Sequence, residues 1–427
     1  MTTVITILFI IGYCLIIFER ALKINKAGMA LLTGVACWTA FIVYSPDKNE
    51  VKQQLIERMG DFSGILFFLM GAMAIVELID AHNGFSIITN AIKTRNKIAL
   101  LWIISLLAFF LSAVIDNLTT TIVMISLVSK IVLDRKDIKL FAAMIVIGAN
   151  AGGAWTPIGD VTTTMLWIGN RISSARTIAE LILPSLTCAI VPLVIVSIML
   201  KGKKDSLVVS EKSAPPADIN IFNRNLVFFS GIGVLLFVPV FKALTHLPPF
   251  MGVLLGFGIL WVLIEILHKN EPDNGNDQYS ITKTLSRIDI STILFFLGIL
   301  ISVSALQSSG ILHNWAVGLE KIAKNYNVMV LSIGMISAVV DNVPLVAGTM
   351  GMYDLARFPL DHHFWIFLAY CAGTGGSLLA IGSAAGVVSM GLAKIDFFWY
   401  LKRISLLAMA GYFSGAAVYL LFEVIIK

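Results

Sequence analysis

Runs of apolar residues too long for most soluble folds dominate this chain. They fall at about 4–18, 28–45, 62–81, 98–133, 140–170 and 178–200, and again at 222–241, 248–267, 290–307, 328–357, 362–394 and 399–426. About 20 apolar residues in a helix span the hydrocarbon of a bilayer, where the backbone finds no hydrogen-bond partner but itself. Only 13% of the 427 residues are charged, against about 25% in soluble proteins. The chain therefore reads as an all-α polytopic membrane protein. Its first run, TVITILFIIGYCLIIF, lacks a basic lead and an A-x-A-like exit, so it is expected to be a membrane segment and not a cleaved signal.

The net charge of +5 sits in short loops. That suits the excess of Lys and Arg on cytoplasmic faces and does not suggest nucleic acid. Cys14, Cys37, Cys188 and Cys371 lie in apolar runs without CxxC spacing, as small core residues do. No cofactor is expected.

The halves of the chain repeat one another. A polar stretch, KGKKDSLVVSEKSAPPADIN, marks a cytoplasmic linker at 201–221 between residues 1–200 and 222–427, each with six apolar segments. ILFF at Ile65–Phe68 recurs at Ile293–Phe296, with Asp61 and Asp289 four residues upstream, at an offset of 228. SAVIDN at Ser112–Asn117 recurs as SAVVDN at Ser337–Asn342, at an offset of 225. ANAGGAWTPIG at Ala149–Gly159 faces AGTGGSLLAIG at Ala372–Gly382, at an offset of 223.

Charge placement predicts the topology. Basic clusters follow the first segment (Arg20, Lys23, Lys26), the third (Lys93, Arg95, Lys97), the fourth (Lys130, Arg135, Lys136, Lys139) and the sixth (Lys201, Lys203, Lys204). With the N-terminus outside, both ends of the fourth segment then lie in the cytoplasm. A re-entrant hairpin over 98–133, turning at Asp116–Asn117, satisfies both clusters. Each half would cross five times, and the odd number inverts the second half, whose hairpin covers 328–357. Broken helices are expected at 140–170 and 362–394.

Irregular backbone at membrane depth survives only when buried in protein or lining a watery cavity. The hairpin tips and the Gly-rich breaks are such places. Gly152, Gly153, Gly375 and Gly376, with Pro157, would unwind helices and free carbonyls for a small cation; close helix packing is the plainer reading. Polar side chains gather there: Asn150, Thr156, Asp160, Thr374, Ser377 and Ser383, beside Asp116, Asn117, Thr120, Asp341 and Asn342. A mid-membrane aspartate costs about 2.5–3.5 kcal/mol on insertion scales. Helix capping alone would need no charge there. Glu77 and Asp80, in VELIDAH, are candidates for a proton relay. Three carboxylates with no Lys, Arg or His in either motif favour a hard monovalent cation over an anion, and a carboxylate that binds Na⁺ alternatively binds H⁺. An aspartyl-type membrane protease would also use two intramembrane aspartates, but Gly-rich breaks and hairpins do not serve one. HExxH is absent.

VELIDAHNGF, IDNLTTT, ANAGGAWTPIGDVTTT and DNVPLVAGTM resemble the NhaD-type sodium/proton antiporters of the ion-transporter superfamily, along essentially the whole chain. Sodium-coupled dicarboxylate symporters and arsenite transporters belong to the same superfamily. Tips in the dicarboxylate branch carry Ser-Asn-Thr. Here Asp116 or Asp341 replaces the serine, and Leu118 or Val343 the threonine, which favours cation exchange over a sodium-coupled anion symporter. The resemblance implies Na⁺, Li⁺ and H⁺ as transported ions. It also implies a bacterial inner-membrane homodimer with a scaffold and a mobile transport domain.

Overall fold

The computed structural model describes residues 1–92, 94, 96–201, 220–269, 281–322 and 325–426. Most of the 201–221 linker, with Lys93 and Arg95, lies outside the described residues. The first half folds as α1 (Thr2–Ile17), α2 (Glu19–Leu22), α3 (Lys26–Tyr44), α4 (Lys48–Ala81), α5 (Ser86–Ala91), α6 (Lys97–Ile115), α7 (Asn117–Ile131), α8 (Arg135–Ala154), α9 (Val161–Ile168) and α10 (Ser174–Leu200). The second half holds α11 (Ile221–Thr245), α12 (Pro249–His268), α13 (Ile281–Leu285), α14 (Ile290–Ser308), α15 (Ile311–Ile322) and α16 (Tyr326–Ile336). It continues with α17 (Asn342–Met352), α18 (His363–Gly375), α19 (Ala384–Leu392), α20 (Phe397–Arg403) and α21 (Ser405–Ile426). Among the described residues, nine helices are long and apolar enough to cross a bilayer. The chain is a polytopic, all-helical membrane protein.

One element departs from the apolar pattern. The third segment was expected at 62–81, yet α4 runs for 34 residues from Lys48. Its polar first turns hold together locally. Asp47 accepts from the Asn49 and Glu50 N–H groups, and Gln53 and Gln54 donate to Glu57 and Glu50 one turn away.

The halves pack reciprocally. α1 lies on α3 as α11 lies on α12, and α3 lies on α14 as α12 lies on α4. α6 packs on α8 as α16 packs on α18, while α7 meets α19 as α17 meets α9. α8 is central, with 78% of its apolar window buried, against 28% for α11 and α12, which show their apolar faces outward.

Each SAVxDN motif turns a helix pair back on itself. Lys97, opening α6, pairs with Asp137 at the start of α8 at 2.5 Å, so α6 leaves and α7 returns to one end of the bundle. In the other pair, the Tyr326 ring that opens α16 packs edge-on against Phe364 at the start of α18. The far end of α9 meets this second entrance, where the Asp361 N–H donates to Arg171 O at 2.9 Å. The glycine pairs serve close approach: a Cβ on Gly152 would stand 2.0 Å from Phe109 O, and one on Gly375 2.0 Å from Gly334 O. The chain loses its helical path after these glycines, between α8 and α9 and between α18 and α19.

Candidate functional site

A helix that starts inside a membrane protein leaves backbone N–H groups without partners, and side-chain oxygens must accept from them. Four such starts converge here. Asp116 caps α7, with Thr119 N–H on Oδ1 at 2.8 Å and the Thr119 hydroxyl on Oδ2 at 2.9 Å. Asp341 caps α17 through Val343 N–H at 3.3 Å. Asp160 caps α9, with Oδ1 accepting from the Thr162 N–H and hydroxyl, both at 2.8 Å. Ser383, the repeat counterpart of Asp160, caps α19 through Gly386 N–H at 3.1 Å. Each positive helix end favours an anionic or oxygen-rich neighbour.

Asp160 is the meeting point. It is 1% exposed, and both tip asparagines donate to it. Asn117 Nδ2 lies 2.5 Å from its Oδ2, and Asn342 Nδ2 lies 3.3 Å from the same atom. Asn117 also donates to Asn150 Oδ1 at 3.1 Å, and Asn150 Nδ2 donates to Ser377 and Ser383 Oγ, each at 2.9 Å. One polar network thus joins both tips and both breaks. No Lys or Arg pairs with Asp160 among the described residues; the hydrogen bonds to its carboxylate come from neutral groups, Asn117, Asn342 and Thr162.

Asp116, Asn117, Asp160, Asp341 and Asn342 line a single cavity of about 60 Å³, room for an ion with a few waters. It shares Met73, Val76, Leu118, Thr119, Thr292 and Ala384 as walls with a chamber of about 390 Å³ that also holds Glu77 and Asp80. Glu77 Oε1 stands 3.9 Å from Arg287 in that chamber, and Asp80 is exposed. A second chamber of about 430 Å³ lies around Arg58, Asp61 and Gln307, toward the other ends of α4 and α14. The buried residues Ile65, Leu69, Met165, Phe296, Leu300 and Val343 form one apolar cluster between it and the central cavity.

Other sequence candidates stand apart from the cavity. Thr156 donates to Ala113 O at 2.6 Å and pins the first break to the first hairpin. The Thr374 hydroxyl is taken by Tyr370 O of its own helix at 2.6 Å. Thr120 is fully buried and its hydroxyl finds no partner among the described residues. Gly152, Gly153, Gly375 and Gly376 pack against backbone or Cβ atoms and do not line the cavity. Sequence reasoning missed Thr119 and Thr162, although both sit inside the quoted motifs. It also missed Lys26, whose Nζ lies 3.4 Å from Asp341 Oδ2. Nothing in the sequence joins residues 315 positions apart.

The family model described as citrate transporter, CitMHS, matches residues 13–356. The chain belongs to the citrate transporter family. This transporter is 49% identical to sodium/proton antiporter 1 of Arabidopsis thaliana, over 97% of its own length and 71% of the relative's. It is 46% identical to sodium/proton antiporter 2 of the same plant, covering 98% of that protein. It is 28% identical to the Na(+)/H(+) antiporter NhaD of Alkalimonas amylolytica, covering 89% of it. The resemblance to NhaD-type antiporters read from the motifs is borne out. The protein is a membrane transporter and not an enzyme, which disposes of the protease reading.

Proposed function

We propose that this transporter exchanges Na⁺, and Li⁺, for H⁺, with the two ions alternating on carboxylates at the centre of the bundle. The observation that carries the reading is the convergence of both tip asparagines on buried Asp160, with Asp116 and Asp341 on the same cavity wall. Carboxylate and amide oxygens are ligands for a hard cation, and each carboxylate that releases Na⁺ accepts a proton. Asp116, Asp160, Asp341, Asn117 and Asn342 are the proposed ligands. Ser377 and Ser383 hold Asn150, which in turn holds Asn117. Glu77 and Asp80 pass protons through the chamber that shares walls with the cavity.

The halves are proposed to be inverted repeats. Reciprocal packing supports this, as does the meeting of α9's far end with the entrance of the second hairpin. Exchange then needs the apolar cluster beside Leu69 and Phe296 to open as the chamber that holds Glu77 and Asp80 closes. The homodimer and the bacterial inner membrane follow from the family resemblance. Relatives named from a plant make the membrane itself worth testing by localisation of tagged protein.

A preformed pH gradient in everted vesicles tests the function. Na⁺ or Li⁺ should dissipate it, whereas K⁺ and succinate should not. Silence to both Na⁺ and Li⁺ in folded protein would sink the antiporter reading. A response that requires succinate would favour the sodium-coupled anion symporter.

A further inference from the structure

We infer that Lys26 is a built-in competitor for the transported cation at Asp341: its ammonium holds the carboxylate in the empty site and must leave when an ion binds. The inference rests on the assignment of Asp341 as a cation ligand. Lys26 opens α3, and its Nζ lies 3.4 Å from Asp341 Oδ2 and 4.3 Å from the centre of the Phe295 ring. The two charged side chains are 23% and 16% exposed, so water screens the pair less than it would a surface ion pair.

The position is that of a gatekeeper. Lys26 walls the chamber that holds Glu77 and Asp80, whereas Asp341 walls the central cavity, and the two residues share a further small cavity with Tyr13 and Phe295. The ammonium therefore stands where chamber and site meet. An ion arriving at Asp341 meets a like charge already there, and the two cannot share Oδ2 at contact distance without repulsion. Glu19 walls both the chamber and the small cavity, and offers the displaced ammonium a second carboxylate. Asp116 has no such cation among the described contacts, so the competition acts on one tip alone.

Removing the ammonium takes away both the competitor and the repulsion, and each change tightens Na⁺ binding. The test is the Na⁺ dependence of exchange by the full-length protein in liposomes, at alkaline pH where protons compete least. In Lys26→Met the half-saturating Na⁺ concentration should fall about fivefold, the size of one modest ion pair. Lys26→Arg keeps the charge and should stay near wild type. Phe295→Leu retains Lys26 but removes the ring beneath it, and should give a smaller fall of about twofold. That variant decides the matter if Lys26→Met does not fold. An unchanged or higher half-saturating concentration in Lys26→Met, or in Phe295→Leu where it stands alone, overturns the inference. Near-normal exchange by Asp341→Asn removes Asp341 as a ligand and sinks the site assignment. Loss of exchange there, with unaltered Na⁺ dependence in Lys26→Met, sinks only the competitor.

Discussion

The two hairpin tips start from almost the same six residues, SAVIDN and SAVVDN, and reach different states. Asp116 sits at φ 74° and ψ 160°, a region that side chains rarely occupy. Asp341 sits at φ −49° and ψ 137°, which is unstrained. The difference begins just beyond the motif. Thr119 offers Asp116 a backbone N–H and a hydroxyl, so both carboxylate oxygens are tied to the tip's own helix. Pro344 stands at the equivalent place in the second copy and has no N–H to give. From its own helix Asp341 accepts the Val343 N–H on Oδ1, and its other oxygen accepts from Lys26 on a separate helix. A repeat can therefore duplicate the position of a carboxylate while leaving its hydrogen-bond partners to the residue three places on.

The largest expected effect tests what the tips have in common. Asp→Asn at either 116 or 341 keeps size, shape and an acceptor oxygen but removes the charge. Each should lower Na⁺-driven proton flux by roughly 1,000-fold, the scale of losing one partner of a desolvated charge pair. Insertion should not suffer, since the change makes it slightly easier. Asp160→Asn should behave alike, even though its repeat counterpart, Ser383, is neutral. Near-normal flux in both tip variants would reduce the aspartates to caps, and the comparison would then concern helix starts and not transport.

A second test asks whether the halves agree in packing where the tips disagree in charge. The Cβ of Gly152→Ala would meet Phe109 O, and that of Gly375→Ala would meet Gly334 O, both at 2.0 Å. Rigid backbone receives both clashes, so each substitution should destabilise by about 2–3 kcal/mol. Thermal unfolding in detergent measures it. A loss at one glycine only would limit the repeat to the motifs themselves.

Much of this arrangement was legible in the sequence, because the bilayer leaves few alternatives. Apolar length gave the helices, and a carboxylate amid Leu, Ile and Val marked the places where they start at depth. The paired asparagines could be read as site residues, but not that both would donate to Asp160, since that convergence is tertiary. The first 14 residues of α4 interleave Val51, Leu55, Ile56 and Met59 with charged and polar side chains, so no continuous apolar run marks them; a cap and side-chain pairs one turn apart hold them helical. The Gly pairs were read as helix breakers and packing residues together. Packing is what their contacts show, and the break falls beyond them. Between two apolar runs, Lys26 reads as a cytoplasmic loop charge. Only the packing of α3 on α14 brings it to the second tip.

The smallest effect sharpens the comparison most, because it isolates backbone strain from charge. Replacing either tip aspartate by Gly or by Ala removes the carboxylate cap, so the two variants at one position differ only in backbone freedom and capping. Gly is the better cap residue by about 1 kcal/mol wherever the site is unstrained, and that gap should appear at 341. At 116 the positive φ adds a penalty that Ala retains and Gly escapes, about 1–2 kcal/mol more. The Gly-over-Ala advantage in detergent unfolding should therefore be larger at 116 than at 341 by that amount. Comparing within each position cancels the lost charge, the lost hydrogen bonds and the lost contact with Lys26. Equal gaps would mean that the first tip stores no strain. The difference between the tips would then rest on side chains alone, on Thr119 at one and Lys26 at the other.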